Sequence, residues 1–326
     1  MNSRLLTPSP ALADIERAAA IVYRAMPPTA QQRWPLLDAR AGAEVWVKHE
    51  NQTPAGAFKI RGGLVYFDAL AHGTSAVRGV VAATRGNHGQ SIGFAARQYG
   101  IPAALVVPHG NSVSKNASMR ALGAELIEEG HDFQASLEAA ARIAAERDWH
   151  LVPSFDPLLV QGVATYSLEL FRAVAGLDAL YVPVGLGSGI CGAIAVRDAL
   201  GLRTRIVAVV AAAAPAYARS LAAGHLVSHD ANTRIADGIA CRTPNEDALA
   251  RIAAGIDHVV EVSDDQIEDA MGAIYDDTHN VAEGAGAAAV AGVLAEREAI
   301  AGRRVAAVVT GGNVDRAVFA RVLNRE

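Results

Sequence analysis

The sequence holds only three lysines, Lys48, Lys59 and Lys115, among basic side chains that are otherwise arginine. An amine acts as a nucleophile only where it is partly deprotonated, a state that burial beside apolar groups favours. Lys59 meets that demand, because it follows Phe58 and the turn Pro54-Ala55-Gly56-Ala57 at the predicted start of a helix. Two readings stay open for it: a reactive amine, or a solvated lysine on an amphipathic helix. Lys48 lies in the strand-like run EVWVKHE with Trp46 and Glu50 on its face, and reads as a salt-bridged lysine on an edge strand. Lys115 follows the run AALVVP at the beginning of a helix, and reads as a surface or inter-domain contact.

Three more loops carry residues suited to holding an anion or a ring. In ATRGNHGQ, Ala83 to Gln90, backbone N–H groups at a helix start can bind a carboxylate, and Gly86 and Gly89 allow close approach. Asn87 adds an amide that can donate to a phenolate oxygen; an ordinary left-handed turn with an Asn cap is the other reading. VPVGLGSGICG, Val182 to Gly192, has the strand, glycine turn and helix of a phosphate cradle, with N–H groups from Gly185, Leu186, Gly187, Ser188 and Gly189. A dinucleotide would suit such a loop too, but no acidic residue ends the following strand RIVAVVAA where a ribose partner is expected. In VVTGGNVD, Val308 to Asp315, Thr310 ends a strand, and its hydroxyl either faces a ring nitrogen or belongs to an ordinary strand-to-turn junction.

Short β-rich runs must alternate with helices to place these loops. GVVAAT, AALVVP, AELIEE and HLVP read as one series of strands, DALYVPVG, RIVAVVAA and VAAVVT as another. Between them fall helices such as HGQSIGFAARQYG, DFQASLEAAARIAAERD, roughly 158–174, ICGAIAVRDALG and 283–301. Apolar strands alternating with helices imply parallel sheets covered on both faces. The fold class is therefore α/β, with two domains: a larger one from 1–47 and 151–326, and a smaller one from 48–150. A separate C-terminal regulatory domain is not expected after the helix that ends near Asn324.

Composition narrows the function. The 326 residues are 51% hydrophobic with a formal net charge of -5 and 5% aromatic residues, with no basic stripe, which argues against a nucleic-acid surface. No membrane partner is expected, since no apolar stretch of spanning length occurs and MNSRLLTPSP has no signal pattern. A cytoplasmic address follows. Cys191 and Cys241 lack Cys or His neighbours at metal-ligand spacing and read as packing residues.

Taken together and in this order, the four loops resemble the fold-type II pyridoxal-phosphate enzymes, whose architecture is that of the tryptophan synthase β chain. They are most similar to the serine/threonine dehydratase and serine racemase branch, over about Val45 to Asp315. The resemblance implies that Lys59 carries pyridoxal 5'-phosphate covalently and acts as general base. It implies further that Phe58 packs on the cofactor ring, Asn87 bonds its 3-oxygen, Gly185 to Gly189 hold its phosphate and Thr310 faces its nitrogen. Gly238 in IADG and Glu283 in AEGAGA would line its far side. The substrate carboxylate would rest on Thr84, Arg85, Gly86, Asn87 and His88. The expected activity is removal of water from a small β-hydroxy amino acid, L-threonine or L-serine first, giving a 2-oxo acid and ammonia. A dehydratase for hydroxyaspartate or phenylserine, a β-replacing synthase and a non-catalytic phosphate-binding protein are the alternatives. A homodimer is expected from the family.

Two departures from that branch matter. Arg85 stands where the branch carries a small residue, usually Ser, so racemisation is not expected; its guanidinium reads a second carboxylate or another polar group on the substrate side chain, or points away into a salt bridge. VAVVAAAAPAYA, Val207 to Ala218, lacks the carboxylates that racemase-like relatives use for a divalent cation, so no metal of that type is expected.

Overall fold

Strand residues that alternate between two helical layers generate two sheets in this chain. The structure is a computed structural model and describes residues 9–74 and 76–325. Met1 to Pro8, part of the stretch whose lack of a signal pattern was noted, lies outside the described residues.

The chain enters through α1 (Leu12–Val22), β1 (Gln31–Arg33), α2 (Pro35–Ala41) and β2 (Glu44–His49). It continues as α3 (Lys59–Ala71), β3 (Val80–Ala83), α4 (Asn87–Tyr99), β4 (Ala103–Val107), α5 (Val113–Ala121), β5 (Glu125–Glu128), α6 (Phe133–Arg147) and β6 (His150–Leu151). Then follow α7 (Pro157–Ala173), β7 (Ala179–Pro183), α8 (Ser188–Ala199), β8 (Arg205–Ala211), α9 (Ala216–Ala223), α10 (Glu246–Gly255) and β9 (His258–Val262). The described chain closes with α11 (Asp264–Thr278), α12 (Gly284–Ala295), β10 (Arg304–Val309) and α13 (Arg316–Leu323).

Six strands in the order β1-β2-β10-β7-β8-β9 form one sheet, parallel except for β1, which runs antiparallel to β2. The other sheet, β5-β4-β3-β6, is wholly parallel. Period-two alternation assigns the faces. Val305, Ala307 and Val309 of β10 pack with Ile267 and Met271 of α11 and Val290 of α12, whereas Ala306 and Val308 pack with Val163 of α7 and Ile190 of α8. In the smaller sheet, Val80 and Ala82 face Ile60 and Ile92, and Val81 and Ala83 face Ala140 and Ile143. Helices on both faces leave the strands' carboxyl ends as the open edge where loops can gather.

Helix α3 is held against α7 by a close crossing. A Cβ on Gly162 would lie 2.4 Å from the Arg61 carbonyl, and one on Gly62 would lie 2.8 Å from the Leu159 carbonyl, so both positions need glycine for the backbones to meet. This contact fixes the helix whose first residue is Lys59.

The structure corrects several local readings. Lys48 is not on an edge: β1, a polar QQR segment without an apolar signal, covers β2, and Lys48 is fully buried. Lys115 is not at the surface, being 8% exposed. The helix read as 283–301 is shorter; Glu283 is its N-cap, and the chain turns after Ala295 through Gly302, whose φ is 68°. Strand β9 escaped notice because His258 and Glu261 break its apolar pattern. Cys191 and Cys241 are free and buried, as packing residues should be.

Candidate active site

Four loops at the carboxyl ends of β2, β3, β7 and β10 converge. The segment leading into Lys59 is zipped onto the loop after β10: the Phe58 N–H donates to the Thr310 carbonyl at 3.0 Å, and the Gly312 N–H to the Gly56 carbonyl at 2.9 Å. Asn313 clasps a third loop, its Nδ2 donating to the Ala55 carbonyl at 2.9 Å and to Asn87 Oδ1 at 3.0 Å. Asn87 Nδ2 in turn donates to Glu283 Oε1. Phe58 meets Tyr166 edge to face, with ring centroids 6.0 Å apart, and the Tyr166 hydroxyl donates to the Gly189 carbonyl at 3.0 Å.

Every residue assigned to the cofactor from sequence borders one small inner cavity: Phe58, Lys59, Asn87, the 185–189 turn, Gly238, Glu283 and Thr310. Thr84, Arg85, Gly86, Asn87 and His88 border a larger outer cavity of about 930 Å³ that also reaches Lys59. Lys59, Asn87, Gly185, Leu186 and Gly238 border both.

The three lysines have different fates. Lys48 Nζ donates to Glu169 Oε2 at 2.5 Å, to the Thr29 carbonyl at 2.8 Å and to Gln31 Oε1 at 3.0 Å. Lys115 Nζ donates to Glu283 Oε2 at 2.8 Å. Among the described residues no hydrogen bond or ion pair holds the Lys59 amine, which lies 4.9 Å from the Phe58 ring centroid. Burial brings its pKa down to about 8, against the opposing pull of Glu283. Lys59 itself is half-buried, bordering both cavities. Lys59 is thus the one of the three free to react.

The loop from Thr84 to His88 is pinned from within. Thr84 Oγ1 accepts from the N–H groups of Gly86 and Gly89, each at 2.9 Å. Gly86 therefore has no N–H to offer a ligand, and Asn87 and His88 at the start of α4 keep theirs. His88 Nε2 is buried and has no partner among the described residues. Burial, with the Lys59 charge, lowers this imidazole to about 3, so it is neutral. It borders the outer cavity, so a group bound there is within its reach.

Comparison with known proteins decides the family. A family model described as "Pyridoxal-phosphate dependent enzyme" matches residues 22–311. The chain is 33% identical to the L-threonine ammonia-lyase of Thermotoga maritima, over 96% of this chain and 78% of that protein. It is 34% identical to a beta-hydroxyaspartate dehydratase of Paracoccus denitrificans, over 86% and 88% of the two chains. The structure of maize serine racemase superposes with a TM-score of 0.89 at 27% identity, covering 96% of this chain and 97% of that one.

The chain belongs to the pyridoxal-phosphate dependent enzymes.

The inner cavity of this pyridoxal-phosphate enzyme fits its cofactor. A Cβ on Gly185 would lie 2.5 Å from the Gly238 carbonyl, and one on Gly187, whose φ is +99°, would lie 2.8 Å from Ala248 Cβ. Glycine is therefore required at both positions for the turn to pass its neighbours. The turn ends at the N-terminus of the twelve-residue α8, which no side chain caps, leaving first-turn N–H groups and the positive end of the helix dipole for a phosphate. At the opposite end Thr310 offers a neutral hydroxyl, now donating to the Ala285 carbonyl at 3.3 Å.

Sequence reasoning missed Asn313, Tyr166 and the role of Lys115. Lys115 was traceable as one of three lysines; Asn313 sits beside Thr310 in a loop already singled out. The far wall of the outer cavity, including His229 and Arg242, comes from a 3₁₀ and loop region without periodicity, and no sequence signal marks it. Among the described residues no group of three or more His, Cys, Asp or Glu side chains is placed to hold a metal ion. None of the described helices is long and apolar enough to cross a membrane.

Proposed function

We propose that this enzyme is a dehydratase of β-hydroxy α-amino acids, releasing a 2-oxo acid and ammonia. The observation that carries the reading is the unpaired Lys59 amine, brought down to about 8, standing between the cofactor cavity and the loop from Thr84 to His88. The names of the Thermotoga and Paracoccus relatives support the same class.

Bound pyridoxal phosphate supplies the electron sink for the carbanion that remains when the substrate's α-proton is removed. The chain's own groups do the rest. The N–H groups of Asn87 and His88 hold the α-carboxylate, and Gly185 to Gly189 hold the phosphate. Lys59 Nζ takes the α-proton; an amine near neutrality in its titration accepts and returns a proton readily. Phe58 and Gly238 would confine the ring, and Asn87, oriented by Glu283 and Asn313, would hold its 3-oxygen. Thr310 brings no negative charge to the ring nitrogen, which favours loss of the β-hydroxyl over transamination. Loss of the α-proton and the β-hydroxyl amounts to one water, and hydrolysis of the resulting enamine gives the oxo acid and ammonia.

Threonine and serine are the smallest members of the class, and a hydroxyaspartate is the member that Arg85 favours. The proposal includes a larger cofactor-binding unit of 1–47 and 151–326 with a smaller substrate-binding unit of 48–150, a homodimer, and a cytoplasmic location. Racemisation is not part of it, because Arg85 stays protonated and cannot serve as acid and base on the second face of the α-carbon.

The test is release of 2-oxo acid by purified holoenzyme from L-threonine, L-serine, hydroxyaspartate and phenylserine. Release from at least one, abolished in Lys59→Ala, supports the proposal. Absence of oxo acid from all four, or a Lys59→Ala enzyme as active as the parent, overturns it. Chiral analysis of serine left after partial turnover should show no D-enantiomer.

A further inference from the structure

Arg85 neither points away from the site nor sits in it unopposed. Its Nη1 lies 3.2 Å from Asp237 Oδ1, and both residues border the outer cavity that reaches Lys59. The backbone at Arg85 is fixed, because the Thr84 hydroxyl ties down the N–H groups of Gly86 and Gly89 on either side of the turn. Its side chain has no such restraint. Asp237 opens the 3₁₀ turn Asp237–Ile239, whose Gly238 carbonyl abuts the Gly185 turn. The pair therefore links the loop after β3 to the 3₁₀ turn that packs on the Gly185 turn, at the wall of the outer cavity.

As a structural device this pair does little. It is a single contact between side chains that are 44% and 56% exposed, and such pairs add little to stability. The arrangement suits exchange. A carboxylate arriving on a substrate side chain can take two parallel N–H bonds from the guanidinium, a stronger geometry than the present one. Asp237, left behind half exposed, is hydrated rather than stranded. Arg242, bordering the same cavity, is also held loosely, 3.7 Å from Asp132 and 3.5 Å from Asp230. A methyl group in place of the carboxylate gains nothing from either guanidinium.

We infer that Arg85 is the specificity-determining residue for a substrate with a second carboxylate on its side chain, and that Asp237 is the resident anion this carboxylate displaces. The inference rests on the proposed dehydratase site, and within that class it moves the preferred substrate from threonine toward β-hydroxy dicarboxylic amino acids.

The test uses binding rather than turnover. L-aspartate and L-asparagine are near-isosteric, lack the β-hydroxyl leaving group and differ in the charge that Arg85 would read. Spectroscopic titration of the holoenzyme should show aspartate binding about tenfold or more tighter than asparagine, the scale of a charge-assisted bidentate contact. In Arg85→Gln that ratio should fall to about one, and in Asp237→Asn aspartate affinity should rise because its competitor is gone. Equal affinities in the parent enzyme, or a ratio retained in Arg85→Gln, would overturn the inference; so would weaker aspartate binding in Asp237→Asn. These outcomes are separable from failure of the dehydratase reading, which would appear as no oxo acid from any hydroxylated substrate whatever the aspartate ratio.

Discussion

Lys115 Nζ lies 2.8 Å from Glu283 Oε2, and the two buried side chains join the first turn of α5 to the N-cap of α12. Glu283 also receives the Asn87 amide, so one carboxylate ties a helix beside the smaller sheet to a helix on the larger one at the edge of the inner cavity. Burial works against the Lys115 charge, and Glu283, Asp237 and Asp315 together outweigh it, raising the amine above its ordinary value. The stability this adds is fully present below the ordinary lysine pKa and is lost only as pH rises through the raised one. Lys115→Met strands the Glu283 charge and should destabilise the protein by about 3 kcal/mol at pH 7, read as a lowered urea midpoint. Adding Glu283→Gln should recover part of the loss; a double variant no more stable than Lys115→Met would show that the pairing is not what was lost.

The Lys59 amine gives a pH signature of the opposite kind. With a pKa of about 8 it is neutral in about one molecule in ten at pH 7, against roughly one in three thousand for a lysine near 10.5. Amine-directed labelling of the cofactor-free protein, followed by mass spectrometry of its lysine peptides, should modify Lys59 with a rate that climbs through about pH 8. A midpoint near 10.5 would contradict the burial argument. Stability has a definite sign as well. Between about pH 8 and 10.5 the folded amine is already neutral while the unfolded one still binds a proton, so the native state gains as pH rises across that window. Relative to Lys59→Met, the cofactor-free protein should therefore become more stable from pH 8 to 10, and less so as pH falls through 8.

Much of the inner cavity was legible because Lys59, Asn87, the 185–189 turn and Thr310 sit in loops with local signatures, whereas Gly238 and Glu283 were reached only through the family resemblance. Gly185 to Gly189 lie between an apolar strand and a helix, and Gly100, at φ 66°, ends α4 where the periodicity stops. Arg85 was legible as an anomaly, though not its partner: Asp237 lies 152 residues away, and no local pattern encodes that pairing. The same holds for Lys48, whose carboxylate Glu169 is 121 residues distant on α7. Its interior position depended on β1, a three-residue polar strand that only its pairing with β2 makes visible. Local chemistry announces loops and helix ends; long-range ion pairs and short polar strands exist only once the topology has formed.

Gly185 offers a test of the cofactor cradle that leaves the fold intact. A methyl group there would meet the Gly238 carbonyl at 2.5 Å, and that oxygen is backbone, so the turn or the 3₁₀ segment must shift. Gly185→Ala should fold, with an unchanged circular dichroism spectrum, yet bind pyridoxal phosphate at least about tenfold more weakly, because a displaced turn loses charge-assisted N–H bonds to phosphate. Equilibrium dialysis of the cofactor measures this directly. Unchanged affinity would place the phosphate elsewhere.

Two residues beyond Lys59 on the same helix, Arg61 lies fully buried in a cluster of alternating charge. Its Nε and Nη2 donate to Glu50 at 2.7 and 3.0 Å, and its Nη1 and Nη2 donate to Glu169 at 2.6 and 2.9 Å. Lys48 completes the set on Glu169, so two cations face two carboxylates and the enclosed charge sums to zero. Burial disfavours the guanidinium charge, but Glu50 and Glu169 outweigh it and hold it. Removing one member of such a set leaves an uncompensated charge in the interior, so Arg61→Met should cost about 3–5 kcal/mol, read as a lowered urea midpoint. Arg61→Lys keeps the charge but cannot bridge both carboxylates with a planar fork, and should fall between Met and the parent. Because α3 begins at Lys59, the Lys variant should also bind cofactor less tightly. If Arg61→Met costs less than about 1 kcal/mol, the cluster is held by the surrounding packing, with the Gly62–Gly162 crossing fixing α3 without help from charge.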